Sequence, residues 1–359
     1  MRIGIVGLPQ SGKTTVFTAL AGVGVASQTA AGATHLGTAK VPDPRLDALA
    51  AIFHPRRVVP AEVQYMDVAA PQRGPGKGEG LGGQLLAELS RVDAFIHVVR
   101  YFADERVPHA QGGIDPDRDI AAMDLELAFS DLAIIERRLQ RLQDSLKATK
   151  PHEREPLLAE QKLLLKIKAS LEAEVPLWQQ TLNADEARLI ENFQFLTAKP
   201  LLAVLNIGES DIPKAEALET ELKARHRRPN FQAVAICGKL EMELAQLDAA
   251  EAKEFRTSMG LTEAAKDRVI RLSYELLGLI TFFPHASDEV KAWPVPQGTS
   301  AVKAAGKIHT DMERGFIRAE VIGYDDLMKC GSLAEARKRG LLRLEGKTSI
   351  VKDGDVITF

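Results

Sequence analysis

The chain has 359 residues, of which 45% are apolar and 26% charged, and its formal net charge is −3. This composition is that of a globular protein with room for two or three domains, and it argues against a surface that coats nucleic acid as a whole. Two cysteines are too few for a disulfide framework or a cysteine-built metal cluster. Neither a membrane span nor a secretory leader is recognisable, so we expect a cytoplasmic protein without membrane contact.

Apolar runs alternate with helical patterns along much of the chain. "RIGIVG" at the start is typical of a buried strand, and "KTTVFTALAG" behind it is typical of a helix. Further strands are predicted at 62–68, 93–99, 200–206 and 231–237. Because strands that alternate with helices form mostly parallel sheets covered on both faces, the pattern predicts an α/β fold.

The run "GLPQSGKTT" fits the pattern G-x-x-x-x-G-K-[ST] between a strand and a helix. Glycines let the backbone approach phosphates, and the loop amides at a helix N-terminus then bind them. We expect Lys13 to lie against the β and γ phosphates and Thr14 to bind Mg²⁺ through its hydroxyl. The predicted phosphate-binding residues are Gly7, Gln10, Ser11, Gly12, Lys13, Thr14 and Thr15.

A carboxylate, Asp67, ends the strand at 62–68. In that position it can bind Mg²⁺ through a water molecule, as a Walker-B residue does. The glycine-rich run over 73–83 follows. It is typical either of a segment that responds to the γ-phosphate or of a flexible surface loop.

The choice of base depends on the residues that follow the strand at 200–206. Guanine-binding proteins carry N/T-K-x-D there, whereas this chain has "NIGE", which lacks the lysine and replaces the aspartate with a longer glutamate. Asn206 can still hydrogen-bond N6 and N7 of adenine. Since an unpaired buried polar group costs about 1–3 kcal/mol, we predict that Asn206, Ile207 and Glu209 favour ATP over GTP.

The alternation stops between about residues 120 and 199. Apolar residues recur there at spacings of three and four from Leu125 to Leu146, and after "TKPHEREP" a second run extends from Leu157 to Val175. This pattern predicts an antiparallel helical hairpin. It is either a structural arm with a solvated surface or an arm that docks on a phosphate backbone. The basic residues available for docking are Arg137, Arg138, Arg141, Lys147 and Lys150.

The chain changes character again after about residue 281. Short strand-like runs flank a small helical pattern at 300–305, and "KDGD" is a turn signal. These features predict a compact α+β module. The strand-like runs are "EVKAWPV", "FIRAEVI", "LLRLEG" and "VITF".

Long stretches from end to end resemble the YchF / Obg-like ATPase family, a translation-factor-related branch of the P-loop GTPases. Examples are "GIVGLPQSGKTTVFTAL", "GKGEGLGGQLL", "NFQFLTAKP" and "AGKIHTDMERGFIRAEVI". The resemblance implies a P-loop nucleotide-binding domain with a G-protein-like parallel sheet over 1–119 and 200–280. It also implies an inserted helical hairpin or coiled coil over 120–199 and a C-terminal TGS domain, a ubiquitin-like β-grasp module, over 281–359.

The same resemblance implies slow, Mg²⁺-dependent hydrolysis of ATP. It further implies association with ribosomes, chiefly the large subunit, through the hairpin and the TGS domain, and it leaves an RNA contact open. On the loop after the strand at 93–99, His109 matches the family's candidate for orienting or deprotonating water. The alternative for His109 is an exposed loop histidine.

Several positions depart from the family pattern. Ala70 replaces the glycine whose amide senses the γ-phosphate, and Pro71 occupies the position of the water-orienting glutamine of Ras-like enzymes. The first switch is shortened, so that either Ala31 or Thr34 aligns with the Mg²⁺-binding threonine. We expect Thr34 to be the second hydroxyl ligand of the metal; Thr29 is a further hydroxyl in the same stretch.

These departures leave several functions open. The first is an ATP-hydrolysing switch that docks on ribosomes, with nucleotide binding ordering the segment over 67–83. The second is a nucleotide-binding scaffold on the ribosome with negligible hydrolysis, which Ala70, Pro71 and the altered switch favour. A GTPase is disfavoured by "NIGE", and a small-molecule kinase is disfavoured because no second substrate pocket is recognisable.

Overall fold

The structure is a computed structural model that describes residues 1–22, 34–68, 83–107, 109, 112–261, 263–285 and 288–359. The chain divides into two compact units. The larger comprises Met1–Gly37 and Gln64–Lys266, and the smaller comprises Thr38–Val63 and Asp267–Phe359. Among the helices of the described ranges, none combines the length and apolar character needed to cross a bilayer.

The first seven strands include the six that form the largest sheet. They are β1 (Arg2–Val6), β2 (His35–Lys40), β3 (Arg57–Val59), β4 (Glu62–Asp67), β5 (Ala94–Tyr101), β6 (Leu201–Ile207) and β7 (Phe231–Ile236). The sheet has the order β2-β4-β1-β5-β6-β7. Its pairs β4–β1, β1–β5, β5–β6 and β6–β7 are parallel. The five strands predicted from the sequence are therefore confirmed, and they are the five that make these parallel pairs.

Among the described residues, ten α-helices lie between residues 13 and 276. They are α1 (Lys13–Ala21), α2 (Pro44–Phe53), α3 (Gly83–Ser90), α4 (Pro116–Ala148), α5 (Glu155–Glu172), α6 (Ala184–Ile190), α7 (Ala215–Arg225), α8 (Gly238–Leu244), α9 (Ala249–Ser258) and α10 (Ala265–Leu276). Every residue of β6 is buried. This explains its almost continuous apolar sequence, since a parallel strand covered on both faces needs apolar side chains on both.

The predicted helical hairpin is formed by α4 and α5. Asp115 caps the start of α4 by accepting a hydrogen bond from the Arg118 amide. Two ion pairs link the helices, Arg138–Glu160 at 2.6 Å and Glu136–Lys168 at 2.9 Å. The residue that comes later in α4 pairs with the one that comes earlier in α5, so the helices are antiparallel.

The two halves of α4 bury different faces. The later part packs Ile135, Leu139 and Leu142 against α5 in a separate apolar cluster. The first part instead contributes Ile120 and other side chains to the core of the large sheet. The prediction that Leu125 lies in the hairpin seam is consequently wrong, since this residue is 42% exposed.

A buried carboxylate joins α4 to the segment that returns to β6. Asp131 accepts hydrogen bonds from the amides of Leu196 and Thr197, at 2.7 and 2.9 Å, and from the Thr197 hydroxyl at 2.7 Å. Burial raises the pKa of Asp131 to about 6, although these donors oppose the shift. Mid-helix Asp131 therefore satisfies backbone donors that would otherwise be buried without partners.

The smaller unit contains the predicted α+β module. Its remaining strands are β8 (Leu279–Pro284), β9 (Glu289–Lys291), β10 (Trp293–Pro296), β11 (Ala319–Gly323), β12 (Arg343–Glu345) and β13 (Asp355–Thr358). Its remaining helices are α11 (Ala301–Ile308), α12 (Thr310–Arg314), α13 (Tyr324–Cys330) and α14 (Leu333–Lys338). The strand order is β10-β8-β13-β11-β12, and α11 packs its alanines into the core beside Phe282.

The segment Thr38–Val63 belongs to this unit, which the sequence did not indicate. Within it, β3 pairs in parallel with β9. Arg45 binds Asp43 at 2.8 Å and Asp353 at 2.7 Å. These contacts join the segment to the C-terminal sheet, while the three-domain division stays a prediction.

One buried histidine gives the larger unit a pH-dependent stability. His97 on β5 is 1% exposed, and its ring nitrogens have no hydrogen-bond partner among the described residues. Burial, helped by the charge of Arg228, lowers the pKa of His97 to about 3. The unfolded chain binds a proton near pH 6.5, so His97 stabilises the fold fully above that pH and loses this contribution as the pH falls towards 3.

We therefore expect His97→Leu to remove part of the acid sensitivity. Between pH 7.5 and pH 5 the wild-type free energy of unfolding should fall by about 2 kcal/mol more than that of the variant, since each pH unit below 6.5 is worth about 1.4 kcal/mol. Urea titrations followed by circular dichroism at the two pH values measure this difference. His152→Leu, which alters an exposed histidine, should show the same change in the free energy of unfolding between the two pH values as the wild type. The same change in His97→Leu would contradict the role of His97 in the pH dependence.

Candidate nucleotide-binding site

The loop between β1 and α1 requires glycine at two positions for steric reasons. A Cβ at Gly7 would lie 2.6 Å from the carbonyl oxygen of Val98. Gly12 has a φ of +88°, and a Cβ there would lie 2.2 Å from Nδ2 of Asn206. Side chains cannot fit at either position without moving the neighbouring strands. The two glycines of the predicted motif thus set the path of the loop.

The predicted phosphate and metal ligands Lys13, Thr14 and Asp67 converge where β1 and β4 end. The Thr14 hydroxyl donates a hydrogen bond to Oδ2 of Asp67 at 3.1 Å. The Lys13 ammonium donates to the carbonyl oxygen of Gly7 at 3.1 Å. Burial lowers the pKa of Lys13, and the charge of Asp67 opposes this shift. Burial raises the pKa of Asp67, and the Thr14 hydrogen bond and the Lys13 charge oppose that shift.

This donor set fits Mg²⁺ held together with a phosphate. A hydroxyl and a carboxylate already lie within hydrogen-bond distance of each other, and hard oxygen ligands of this kind suit Mg²⁺, which usually takes its remaining ligands from water and substrate. Within the part of the chain that the structure describes, no group of three or more His, Cys, Asp or Glu side chains could hold a metal unaided.

Thr34 lies elsewhere. Its hydroxyl donates a hydrogen bond to the Glu88 carboxylate on α3, so the structure pairs it with Glu88 and not with Thr14 or Asp67. Ala70, the predicted γ-phosphate sensor, lies outside the described residues. Thr29, Ala31, Pro71 and all but the last residue of the glycine-rich run over 73–83 lie outside them as well.

Asn206 connects three parts of the site. It is 5% exposed at the end of β6; its Nδ2 donates to the carbonyl oxygen of Ser11, and its Oδ1 accepts from the amide of Gly238, both at 3.1 Å. One N–H and one oxygen lone pair remain for other partners. The side chain therefore fixes the phosphate loop against the start of α8, and a bound base has only these remaining groups of Asn206 available.

A cavity of about 610 Å³ opens beside Asn206. Its volume is typical of a small-molecule site. It brings together six of the predicted residues, namely Gln10, Gly12, Thr15, Asn206, Ile207 and Glu209. The structure therefore places the predicted base-reading residues next to the phosphate loop.

Other residues of this cavity were not identified from the sequence, and four of them have side chains that matter for a ligand. They are Phe102, Arg106, Cys237 and Lys239. Phe102 directly follows β5 and Cys237 directly follows β7. Because open parallel sheets bind ligands beyond the carboxyl ends of their strands, the strand predictions contained the signal for these two residues.

Glu209 has a charged partner at the mouth of the cavity. Its carboxylate lies 3.1 Å from the Lys239 ammonium. In guanine-binding proteins the carboxylate near this position accepts from the base, whereas here the lysine occupies one oxygen. Ion pairs this exposed contribute little to stability, so the fold does not depend on this pair.

His109 is not an exposed loop histidine. Its side chain is 9% exposed, and Nε2 lies 3.2 Å from Oδ2 of Asp119 on α4. The other oxygen of Asp119 accepts from Arg118 at 2.9 and 3.2 Å. The structure thus brings His109 together with the first turns of the hairpin and not with Lys13 or Thr14.

Comparison with known proteins covers the whole chain. Residues 279–359 match the family YchF-GTPase_C, described as a protein of unknown function (DUF933). Proteins named "Ribosome-binding ATPase YchF" are 38% identical in Bacillus subtilis (strain 168) and 40% identical in Haemophilus influenzae. These matches cover 99–100% of this chain and 98% of each relative. The solved structure of the Schizosaccharomyces pombe YchF GTPase superposes with a TM-score of 0.83 at 28% identity, covering 99% of this chain and 97% of that one.

Proposed function

We propose that this chain, which belongs to the YchF family, is an ATP-binding and slowly ATP-hydrolysing switch protein that associates with ribosomes. The observation that carries the proposal is the convergence of Lys13, Thr14 and Asp67 behind a loop whose two glycines are sterically required. The relatives' name, ribosome-binding ATPase, supports both the activity and the partner.

Adenine selectivity is supported by the cavity beside Asn206. A guanine clamp needs a carboxylate free to accept from N1–H and the exocyclic amine, whereas Glu209 is paired with Lys239 at 3.1 Å. Asn206 keeps one N–H and one lone pair, which match N7 and the N6 amine of adenine. The ring of Phe102 in the same cavity offers an apolar surface to the base.

We further propose that Thr14 and Asp67 hold Mg²⁺, which when bound neutralises charge on the phosphates. Lys13 is half-buried, so its ammonium is already partly desolvated when it turns from the Gly7 carbonyl to a phosphate oxygen. The loop amides bind the remaining phosphate oxygens. Thr34 joins this set as a metal ligand only after leaving Glu88.

Slow hydrolysis follows from the groups available to orient water. Pro71 has no side-chain donor or acceptor. His109 can donate from Nε2 to Asp119, a contact of the kind by which a carboxylate orients a catalytic histidine. Because His109 contacts α4, we also propose that the helical hairpin influences the rate of ATP hydrolysis.

For ribosome association we propose the helical hairpin at 120–199 and the TGS domain at 281–359 as the docking elements, with the large subunit and its RNA as partners. Arg137 and Arg141 lie on the exposed surface of α4, whereas Arg138 is bound to Glu160 at 2.6 Å. Exposed arginines suit phosphate backbones, and such contacts weaken with salt. The competing hypothesis, a nucleotide-binding scaffold with negligible hydrolysis, predicts the same docking but no turnover of bound ATP.

Sedimentation with ribosomes tests this proposal. We expect ATP to change the fraction of wild-type protein that pellets, and Lys13→Ala, which removes the phosphate-binding ammonium, to pellet equally with and without ATP. Lys253→Ala, at an exposed lysine of α9, is the matched control and should behave as wild type. Absence of the wild-type protein from the ribosomal pellet in both conditions would contradict the proposed partner.

The role of His109 is tested under single-turnover conditions. We expect His109→Ala to slow hydrolysis at least about 10-fold, since positioned acid–base groups contribute 10² or more, and to leave ATP affinity unchanged. Asp119→Asn should slow it less and alter the pH dependence of the rate, because the orienting carboxylate is lost. His152→Ala serves as the control; a His109→Ala rate equal to that of wild type would remove this residue from the mechanism.

A further inference from the structure

A second cavity lies at the other end of the strands of the large sheet, where β6 and β7 begin. It has a volume of about 670 Å³ and is lined by Pro200 and Leu201 at the start of β6 and by Asn230 just before β7. The nucleotide cavity adjoins the other end of the same strands. Since β6 has seven residues, a strand length of about 20 Å separates the two cavities.

The walls of this cavity come from three parts of the larger unit. Leu127 belongs to α4, Trp178, Leu182 and Phe195 belong to the segment that returns from the hairpin, and the strand starts complete the wall. A mainly apolar cavity of this volume with a few polar groups is typical of a site for a small organic molecule.

Arg228 supplies the main polar group. Its side chain is only 6% exposed, and its Nη1 donates to both oxygens of Asp124, at 2.8 and 3.0 Å. The guanidinium lies 5.4 Å from the centre of the Trp178 ring and 4.9 Å from that of Phe231. In the described part of the chain, Nη2 of Arg228 has no hydrogen-bond partner.

An unpaired buried guanidinium N–H is costly, and a small adjustment of Arg228 would let an acceptor in the cavity bind it. The charge of the lining specifies the acceptor further. The lining contains three cations, Arg188, Lys199 and Arg228, and two carboxylates, Asp124 and Glu191, which leaves one positive charge in excess. The Lys199 ammonium also donates to the carbonyl oxygens of Leu89 and Ser90. Arginine pairs with carboxylate more strongly than with a neutral oxygen. The lining therefore suits an apolar molecule that carries a single negative charge.

We propose that this cavity binds a small organic monocarboxylate with an apolar body, its carboxylate on Arg228 and its body against Trp178 and Phe195. The ligand would contact α4, the return segment and the strand starts at the same time. It would do so without touching the nucleotide cavity, so the proposal does not depend on ATP binding.

Octanoate is a suitable probe, and 1-octanol is its neutral control. The chain has two tryptophans, so Trp293→Phe leaves Trp178 as the sole emitter in the cavity. We expect octanoate to change the Trp178 emission saturably with one site per chain, and calorimetry to show 1-octanol binding at least about 10-fold more weakly, as loss of the charged hydrogen bond requires. Lys13→Ala should leave octanoate binding unchanged.

Two further variants locate the ligand. The pair Arg228→Met with Asp124→Asn removes the guanidinium without leaving its half-buried carboxylate partner unpaired, and should weaken octanoate binding at least about 10-fold. Arg188→Met, at an exposed lining cation, should weaken it much less. Leu182→Trp fills the cavity, keeps Arg228, and should abolish binding when tested by calorimetry, which decides the matter if the double variant does not fold.

The proposal is overturned by any of three results. These are no saturable octanoate binding to the wild type, equal affinity for octanoate and 1-octanol, and octanoate binding that survives Leu182→Trp. Displacement of octanoate by an ATP analogue would likewise assign it to the nucleotide cavity and overturn the proposal.

Discussion

The nucleotide site depends on the buried side chain of Asn206. Its two hydrogen bonds, to the carbonyl oxygen of Ser11 and the amide of Gly238, hold the phosphate loop against the ends of β6 and β7. Gly12 adopts a left-handed conformation, and the Asn206 amide occupies the space that a Cβ would need there. In the proposed site, one residue therefore contacts both the phosphate loop and the base-binding cavity.

The parts of the fold that could be predicted are those with a strong local signal. Strands buried on both faces, such as β6, have continuous apolar sequences, and the phosphate loop has a fixed spacing of glycines and lysine. The short strands β2 and β3 have mixed polarity and were missed. Their pairing depends on residues distant in sequence, which no local pattern encodes.

The residues of the candidate site also separate into those that could be predicted from the sequence and those that could not. Lys13, Thr14 and Asp67 meet as their spacing predicted, because the carboxyl ends of parallel strands share one edge. The Glu88 partner of Thr34 and the Asp119 partner of His109 could not be foreseen, since each arises from packing between elements. These contacts also mark where the molecule must rearrange if Thr34 and His109 act on a bound nucleotide.

In the proposed function, this phosphate loop and Asn206 together select adenosine triphosphate. Calorimetry with Mg²⁺ and non-hydrolysable analogues of ATP and GTP tests it most directly. We expect the ATP analogue to bind at least about 10-fold more tightly, a difference of about 1.4 kcal/mol. Tighter binding of the GTP analogue, or no heat with either in folded protein, would contradict it.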